Sequence, residues 1–416
     1  MSPSARERMA LAAWSAIAEP ADAQAHALVR ALGAAEAVEW VRAGCTDLTA
    51  ASSQLLGKCD KATAVGAATG HERWARRLEF AEQPLVERGA RVGARLVVPG
   101  DPEWPVALDD LGDRAPFALW VRGSGHVAEL WSRSIAVVGA RSSTSYGEHV
   151  TAEIAGGVGA AGWTVISGGA YGIDGVAHRA ALAGDCPTVA IMAGGVDRLY
   201  PAGHEQLLRQ VMETGCVISE VPPGYAPHRS RFLSRNRLIA TATATVVVEA
   251  AWRSGALSTA THAAELARSV GAVPGPVTSA SSAGCHRLIR DGQAVLVTSA
   301  QDVLELAAPL GEELSLFVDG HAGGAGEQRG GADGHPGGAG QQSASGARTT
   351  SPATRPEFGR PEHRAVYDAL SNRAAIVDAV AARAGLTVAA TRGALAALEL
   401  ADLAVRTEAG WRKKPA

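Results

Sequence analysis

From residue 134 onward, the sequence alternates short apolar, β-branched runs with segments of helical periodicity. The predicted strands are Ile135 to Val138, Thr164 to Ile166, Thr188 to Met192, Val217 to Ser219, Thr245 to Val248 and Ala294 to Val297. Strands that are apolar on both faces and alternate with helices form parallel sheets that helices cover on both sides. The pattern therefore predicts a doubly wound, Rossmann-like α/β domain, and a chain of 416 residues has room for further domains.

The residues before this pattern favour helices. Ala-rich segments with helical periodicity predict a small helical domain over residues 1–80. The predicted helices end at three breakers: Pro20, Gly33 and Gly44. A polar helix from His71 to Arg88 and a strand from Ala94 to Val98 then lead into the α/β domain, which we place at residues 81–318.

The C-terminal part of the sequence changes composition twice. Residues 319–356 consist mainly of Gly, Ala, Ser, Gln and Pro, and such a segment buries too little apolar surface to offset its loss of conformational entropy. We predict a disordered linker there. Residues 357–416 regain helical periodicity in three segments and end in a strand-pair pattern with a turn at Gly410, which predicts a winged-helix module.

Composition and motifs narrow the classes of function. No apolar run approaches the roughly 18 residues of a membrane span, and no secretory signal is visible, so we expect a cytoplasmic protein without a membrane partner. The five cysteines form no C-x-x-C pair and no Walker-type motif occurs, so we predict neither a metal nor a cofactor. Because the formal net charge is only −3, a nucleic-acid partner must be inferred from local charge.

A glycine-containing turn follows the first strand of the α/β pattern. Gly139 ends this strand, and Arg141, Ser142 and Ser143 precede the next helix. In open α/β sheets, ligands bind at the carboxyl ends of the strands, where Gly lets the backbone approach and a helix N-terminus attracts an anion. We interpret this turn as a phosphate cradle. The alternative is an ordinary strand-to-helix loop whose hydroxyl groups cap the helix.

A second turn contributes five more candidate phosphate-binding residues, which are Ser167, Gly168, Gly169, Tyr171 and Gly172. Three glycines within six residues indicate close backbone approach or positive φ. Asp174 and His178 follow, one helical turn apart on the same face. They permit an acid/base pair, but we favour a structural role in which Asp174 stabilises the helix N-terminus and His178 braces it.

The third candidate segment is basic and contains Arg231, Phe232, Arg235, Asn236 and Arg237. No carboxylate occurs between Glu220 and Glu249. Guanidinium groups bind phosphates, and an aromatic ring provides a surface on which a base stacks, so the segment predicts contact with a single strand. The alternative is an exposed basic loop with one core Phe.

Ordered short motifs resemble the DNA-processing protein A family, DprA/Smf. They are Ala136-Val-Val-Gly139-Ala-Arg141, Ser167-Gly-Gly-Ala-Tyr-Gly-Ile-Asp174, Tyr200-Pro201, Ser234-Arg-Asn-Arg237, Val248-Glu249 with Arg253-Ser254-Gly255, and Val273-Pro-Gly-Pro276. The resemblance implies an extended Rossmann fold that binds single-stranded DNA, forms a homodimer and helps to load RecA onto incoming strands during natural transformation. It also implies that the protein is not an enzyme.

The resemblance further implies roles for individual residues. The two glycine-containing turns would contact phosphates, while Phe232, Arg235 and Arg237 would line the path of the strand. A polar structural site would comprise Asp174, His178, Glu249, Ser254 and Gly255. Two positions depart from the family pattern, since Tyr171 stands where the family often has Lys or Arg, and His286 stands where it favours Asn.

Two other functions stay open at this point. Related Rossmann-like folds cleave nucleoside monophosphates, and Glu249 near Gly255 could supply a carboxylate for such an enzyme. Alternatively, the winged helix could be the main DNA reader, as in a transcription factor.

Overall fold

The computed structural model describes residues 3–308 and, with gaps, part of the C-terminal region, namely residues 361–371, 375–388, 391, 394–395, 398, 403–407 and 410–414. The chain divides into two compact units, Met1–Gly320 and His321–Ala416, which we describe separately. The predicted linker at residues 319–356 lies outside the described residues.

The first unit begins with helices α1 Ala5–Ile17, α2 Ala23–Leu32, α3 Ala34–Leu55, α4 Lys61–Ala75, α5 Leu78–Ala81 and α6 Leu85–Arg91. The side chains of Ser4, Asp22 and Asp60 accept hydrogen bonds from first-turn N–H groups and so fix where α1, α2 and α4 start. Trp14 and Trp74 are fully buried between these helices, with ring centroids 5.5 Å apart in an edge-to-face contact.

Two helix predictions in this region are wrong. Gly44 does not end a helix but lies inside α3, where its missing side chain leaves room for the ring of His71. The chain bends instead at Asp47, with φ −149° and ψ 96°. The segment from His71 to Arg88 is not one helix, because α4, α5 and α6 share it and Pro84 precedes the first turn of α6.

The strands of the first unit are β1 Arg95–Val97, β2 Leu119–Arg122, β3 Ser134–Val138, β4 Thr164–Ser167, β5 Thr188–Ile191, β6 Cys216–Ser219, β7 Ala244–Val247, β8 Ser269–Ala272 and β9 Val295–Leu296. They form one sheet in the order β1-β2-β6-β5-β4-β3-β7-β8-β9. Strands β3 to β9 pair in parallel, whereas β2 is antiparallel to both β1 and β6. The sheet is therefore mixed at one edge rather than parallel throughout.

The sequence pattern misses β2 and β8. Strand β2 lies in an irregular, Pro-containing stretch that carries no clear strand pattern. Strand β8 reads Ser-Val-Gly-Ala, with only one β-branched residue. A Cβ at Gly271 would lie 3.0 Å from Cγ1 of Val297, so a small residue is needed there and tertiary packing outweighs the low strand propensity of glycine.

Helices cover both faces of this sheet. They are α7 Val127–Ser132, α8 Ser145–Ala160, α9 Ile173–Ala183, α10 Glu205–Thr214, α11 Arg229–Ile239, α12 Gly255–Glu265, α13 Ala283–Arg290 and α14 Ala300–Ala307. Alternate residues of β3 enter two different cores, Ala136 and Val138 on one side and Ile135 and Val137 on the other. The predicted doubly wound, Rossmann-like fold is confirmed.

Strand β3 lies at the point where the winding of the sheet reverses. The chain adds β4, β5 and β6 on one side of β3, then crosses to its other side and adds β7, β8 and β9. The loops that follow β3 and β7 therefore diverge to opposite faces and leave a crevice at the carboxyl ends of these two strands. The sequence-predicted turns lie at this edge.

The N-terminal helices contact the α/β part of the same unit through specific polar bonds. The indole Nε1 of Trp120 in β2 donates to Ser15 Oγ at 3.2 Å, and the hydroxyl of Tyr225 donates to the carbonyl of Ala16 at 2.8 Å. The boundary that we place at residue 80 stays a prediction.

The described residues of the second unit include α15 Pro361–Ala369, α16 Val377–Ala384 and the antiparallel hairpin β10 Ala404–Thr407 and β11 Gly410–Lys413. Their core contains Val366, Leu370, Val380, Leu395 and Leu398. Gly410 opens β11 with φ +122°, a conformation that favours glycine. This unit is the predicted winged-helix module; its third predicted helix, residues 387–400, lies partly outside the described residues.

The packing of Gly44 against His71 gives a stability prediction. A Cβ at Gly44 would lie 2.7 Å from Cδ2 of His71, whose Nε2 is bound to the carbonyl of Val41 at 2.9 Å. We expect Gly44→Ala to lower the free energy of unfolding by about 1–3 kcal/mol because the added methyl group overpacks this contact. Chemical denaturation measures the change.

Gly66→Ala is the matched control for this prediction. Gly66 lies inside α4, and its nearest neighbour would be Gln24 Cγ at an ordinary 3.6 Å, so the helix propensity of Ala should stabilise the fold by up to about 1 kcal/mol. Equal effects of the two substitutions would contradict the packing argument.

Candidate nucleic-acid interface

A cleft of about 280 Å³ opens where the winding of the sheet reverses. Its lining combines the loop after β3, the start of α9, one face of α11 and the start of α12. Eight of the residues singled out in the sequence line it: Gly139, Arg141, Asp174, Phe232, Arg235, Asn236, Ser254 and Gly255. The N-termini of α9 and α12 both lie at this edge, and helix N-termini favour anions.

The first glycine turn is shaped by close packing. A Cβ at Gly139 would lie 2.5 Å from Cγ1 of Ile173 and 3.0 Å from the carbonyl oxygen of Glu249, so only glycine fits between the two neighbouring segments. Arg141 follows on the exposed surface, and its guanidinium lies 5.1 Å from the ring centroid of Phe232. No ion pair to Arg141 occurs within the described part of the chain, so this cation faces the cleft without a protein counter-ion.

The two hydroxyl residues that follow Arg141 differ in their surroundings. Ser142 is exposed. Ser143 donates a 2.8 Å hydrogen bond to Glu148 in the first turn of α8. Neither side chain lines the cleft, so the phosphate role predicted for them stays a prediction.

The second glycine turn packs directly against the first. The backbone N–H of Ile173 donates to the carbonyl of Ala140 at 3.2 Å, and a Cβ at Gly172 would lie 2.6 Å from the carbonyl oxygen of Arg141. Gly169 and Gly172 have φ +68° and +75°, as the sequence predicts for glycines in this turn. The two turns therefore form one structural element.

Within the second turn, most residues face the protein interior. Ser167 is buried and donates a 2.6 Å hydrogen bond to the carbonyl of Val137, while the carbonyl of Gly168 accepts a bond from Arg235. Tyr171 is 50% exposed, and its ring meets His204 edge to face at 4.8 Å. Tyr171 is thus exposed but does not line the cleft, whereas its neighbour Ala170 does.

The structure does not form the open arginine cluster that the sequence suggests. Arg237 is 2% exposed and makes a bidentate ion pair with Glu220 at 2.5 and 2.7 Å. Arg231 is also buried and binds Glu19 at 2.9 and 3.1 Å. Both carboxylates lie outside the basic segment in the sequence, which is why a local count of charges misses them. Arg231 and Arg237 stabilise the fold in this geometry and do not line the cleft.

Arg235 lies at the base of the cleft. It donates to the carbonyl of Gly168 at 2.8 Å and to that of Ile191, and its Nε is buried without a partner among the described residues. Burial lowers the pKa of Arg235 to about 10, so the guanidinium stays charged at neutral pH. Burial raises the pKa of the nearby Asp174 carboxyl, and the charge of Arg235 opposes this shift. The base of the cleft therefore holds the positive charge of Arg235 with the Asp174 carboxyl beside it.

Asp174 and His178 do not form an acid/base pair in the described structure. The Asp174 carboxylate accepts a bond from the N–H of Ala170 at 3.3 Å. The Nδ1 of His178 binds the Thr188 hydroxyl at 2.8 Å instead, and burial lowers the pKa of His178 to about 3. The role of Asp174 at the helix start agrees with the structural interpretation, but His178 braces β5 rather than Asp174.

Glu249 ties the loops after β3 and β7 together. Its carboxylate accepts bonds from the backbone N–H of Thr144 at 2.9 Å, from the Thr144 hydroxyl at 2.6 Å and from the Ser281 hydroxyl at 3.2 Å. Glu249 is buried and does not line the cleft. Sequence reasoning missed Thr144 and Ser281 because each is an unremarkable loop hydroxyl until the sheet brings it to Glu249.

Fold and cleft together define a Rossmann-like protein with a cleft at its switch point that Arg141 and Arg235 line. A family model described as "DNA recombination-mediator protein A" matches residues 95–308, and one described as "DprA winged helix domain" matches residues 348–410. The first of these covers half of the chain. The chain therefore belongs to the DNA recombination-mediator protein A family.

Individual relatives agree with this assignment. A putative DNA processing protein DprA from Mycobacterium tuberculosis is 42% identical over 96% of this chain and 93% of the relative. DNA processing protein DprA from Streptococcus pneumoniae is 37% identical over 48% of this chain and 70% of the relative. The X-ray structure of the S. pneumoniae protein matches with a TM-score of 0.56 and 28% identity, and covers 73% of this chain and 98% of that one.

The buried ion pair of Arg237 gives a prediction that separates a structural role from a DNA contact. We expect Glu220→Gln to lower the free energy of unfolding by about 3–5 kcal/mol, because it leaves the Arg237 charge buried without its counter-ion. Chemical denaturation measures this loss. The control is Glu205→Gln, which breaks an exposed ion pair with Arg209 and should change the free energy of unfolding by about 0.5 kcal/mol or less. If Glu220→Gln leaves the free energy of unfolding unchanged, Arg237 is not held by this ion pair.

His178 gives a pH prediction. In the folded protein, the pKa of His178 is about 3, below the ordinary value of 6.5. As the pH falls from 6.5 toward 3, the unfolded chain binds a proton at this residue and the folded protein does not, so the fold loses stability over this range. Between pH 7 and pH 5, we expect the wild type to lose about 2 kcal/mol of unfolding free energy more than His178→Gln does. Denaturation at a series of pH values tests this.

His149→Gln, the same substitution at an exposed histidine, is measured alongside as the control. Parallel pH curves for wild type and His178→Gln would contradict a buried neutral imidazole.

Proposed function

We propose that the protein binds single-stranded DNA at the switch-point cleft without cleaving it, and that it passes the strand to RecA during natural transformation and recombination. The observation that carries the proposal is Arg141, an exposed cation stacked on Phe232 at the mouth of a cleft whose base holds Arg235. Two helix N-termini add backbone donors at the same edge.

The charges of the cleft fit a phosphate group. Arg141 presents a planar guanidinium that suits bidentate contact with phosphate oxygens, and no protein carboxylate neutralises it within the described residues. Arg235 is held in place by hydrogen bonds to backbone carbonyls, so it would attract a phosphate electrostatically rather than move to contact it. Asp174 lies at the same base, which limits the net charge and favours one phosphate over a cluster of them.

The aromatic side chains near the cleft fit bases. The half-buried ring of Phe232 lies between Arg141 and Tyr200, with 5.7 Å between the two ring centroids of Phe232 and Tyr200. Tyr200 and Tyr171 are each about half exposed. Rings beside a cation provide the sequence-tolerant stacking that single-strand binders use. Tyr171 would then replace a basic contact of the family with a stacking one.

The proposal makes the protein a binder rather than an enzyme. The Glu249 carboxylate, which the nucleotide-cleaving alternative needs, is occupied by Thr144 and Ser281. Asp174 and His178 contact different partners. Turnover of nucleoside monophosphates that disappears in Glu249→Gln would favour the enzyme instead.

The partners are proposed on the family membership and the resemblance of the motifs. We include RecA, homodimer formation and a cytoplasmic location in the proposal, and we assign the main DNA contact to the α/β unit rather than to the winged helix. None of the described helices is long and apolar enough to cross a membrane. Retention of single-strand binding by a chain that ends after Val318 would support the α/β unit as the binder.

The role of Arg141 can be measured through the salt dependence of binding. We expect Arg141→Ala to weaken binding to oligo(dT) and to reduce the slope of log K against log salt by about 0.7, because one phosphate contact is lost. Fluorescence anisotropy titrations at several salt concentrations give both quantities.

Arg133→Ala is the matched control. Arg133 is also exposed, but it precedes β3 and stacks on Trp163 at the opposite end of the strand, so the slope should not change. If Arg141→Ala keeps the wild-type affinity and slope, the phosphate site is not in this cleft.

A further inference from the structure

A second aromatic and basic surface lies next to the cleft, on the loop that joins β7 to α12. Trp252 is 54% exposed. The structure describes all nine tryptophans, and the other eight are buried or partly buried. The guanidinium of Arg287 lies 4.9 Å from the centroid of its ring. Arg253 follows Trp252 and is exposed. We call these three residues the Trp252 platform.

The backbone holds this platform in a fixed position. The N–H of Ala250 donates to the carbonyl of Ser281 at 2.7 Å, and the N–H of Gly284 donates to the carbonyl of Ala250 at the same distance. A Cβ at Gly284 would lie 2.7 Å from the carbonyl oxygen of Ala250, so glycine allows α13 to pack directly on the loop. Arg287 lies one helical turn after Gly284 and is thereby positioned over Trp252.

The platform is continuous with the cleft. Ser254 and Gly255, which line the cleft, follow Trp252 and Arg253 in the chain. Ser254 caps α12, and the carbonyl of Gly255 accepts a bond from Asn236 on α11. One short loop thus presents polar residues to the cleft and an exposed indole, with Arg253 next to Trp252 in the chain and Arg287 of α13 over the ring.

The charges around the indole favour a nucleic-acid base over an apolar protein surface. Within the described residues, neither Arg253 nor Arg287 forms an ion pair, whereas the neighbouring Arg290 pairs with Asp291. A large exposed indole costs free energy in water unless a partner covers it, and the adjoining free cations match the phosphates that flank a stacked base.

We propose that the Trp252 platform stacks a base of the same single strand whose phosphate occupies the cleft, so that the bound strand continues from the β3 loop across the β7 loop. This inference rests on the proposed function and adds a second contact to it. It predicts that the cleft binds a phosphate of the strand and that the indole of Trp252 stacks on one of its bases.

The test compares oligo(dT) with an abasic deoxyribose phosphate strand of equal length. We expect Trp252→Ala to weaken oligo(dT) binding about 5-fold or more, the loss expected for one base stacked on an aromatic ring, and to leave abasic binding unchanged. Trp252→Phe should recover most of the affinity. Arg287→Ala should reduce the salt slope for both strands by about 0.7.

Val277→Ser is the control, since Val277 is 89% exposed in the loop after β8 and carries neither ring nor charge. Equal weakening of both strands by Trp252→Ala would indicate a structural role and overturn the inference, as would no change in either strand. Arg141→Ala keeps the two proposals apart: if it has no effect while Trp252→Ala weakens oligo(dT) alone, the cleft assignment fails and the platform stands. If the wild type binds neither strand, both fail.

Discussion

The carboxylate of Glu249 holds the elements on which the site depends. Three hydrogen bonds from Thr144 and Ser281 tie the loop after β3 and the segment after β8 to the end of β7. There is no room for a side chain at Gly147, where a Cβ would lie 2.9 Å from Cγ of Glu249. The buried carboxylate therefore fixes the loop that carries Arg141 and supports the loop that carries Trp252.

Guanidinium groups in this protein have two separate uses. Arg231 and Arg237 are buried against carboxylates and join α11 to the N-terminal helices and to the end of β6. Arg141 lines the cleft, and Arg253 and Arg287 belong to the adjacent Trp252 platform; in the described ranges none of the three has an ion partner, and Arg141 and Arg287 lie beside aromatic rings. Burying an ion pair removes the hydration of both ions, and only a short, well-aligned pair offsets that cost. An exposed guanidinium without a carboxylate partner can instead bind an anionic ligand.

The sequence was sufficient to predict the fold and the edge of the sheet that carries the site, because both depend on local patterns. Apolar runs of four or five residues identify most strands, and Gly139 and Gly172 mark the turns that need close approach or positive φ. The antiparallel pairing of β2 and the strand character of β8 depend on long-range contacts, so propensity alone misses them. The partner of Arg231 is similarly distant, since Glu19 is more than two hundred positions away, whereas Glu220 is 17 positions from Arg237 and is brought to it by the turn between β6 and α11.

The central claim is that a single strand places a phosphate in the switch-point cleft. A crystal structure of the protein with oligo(dT) tests it most directly. The account predicts a phosphate within hydrogen-bond distance of the Arg141 guanidinium and of backbone N–H groups at the start of α9 or α12, with a base against Phe232. A strand bound only to the winged helix, or elsewhere on the α/β unit with the cleft empty, would contradict it.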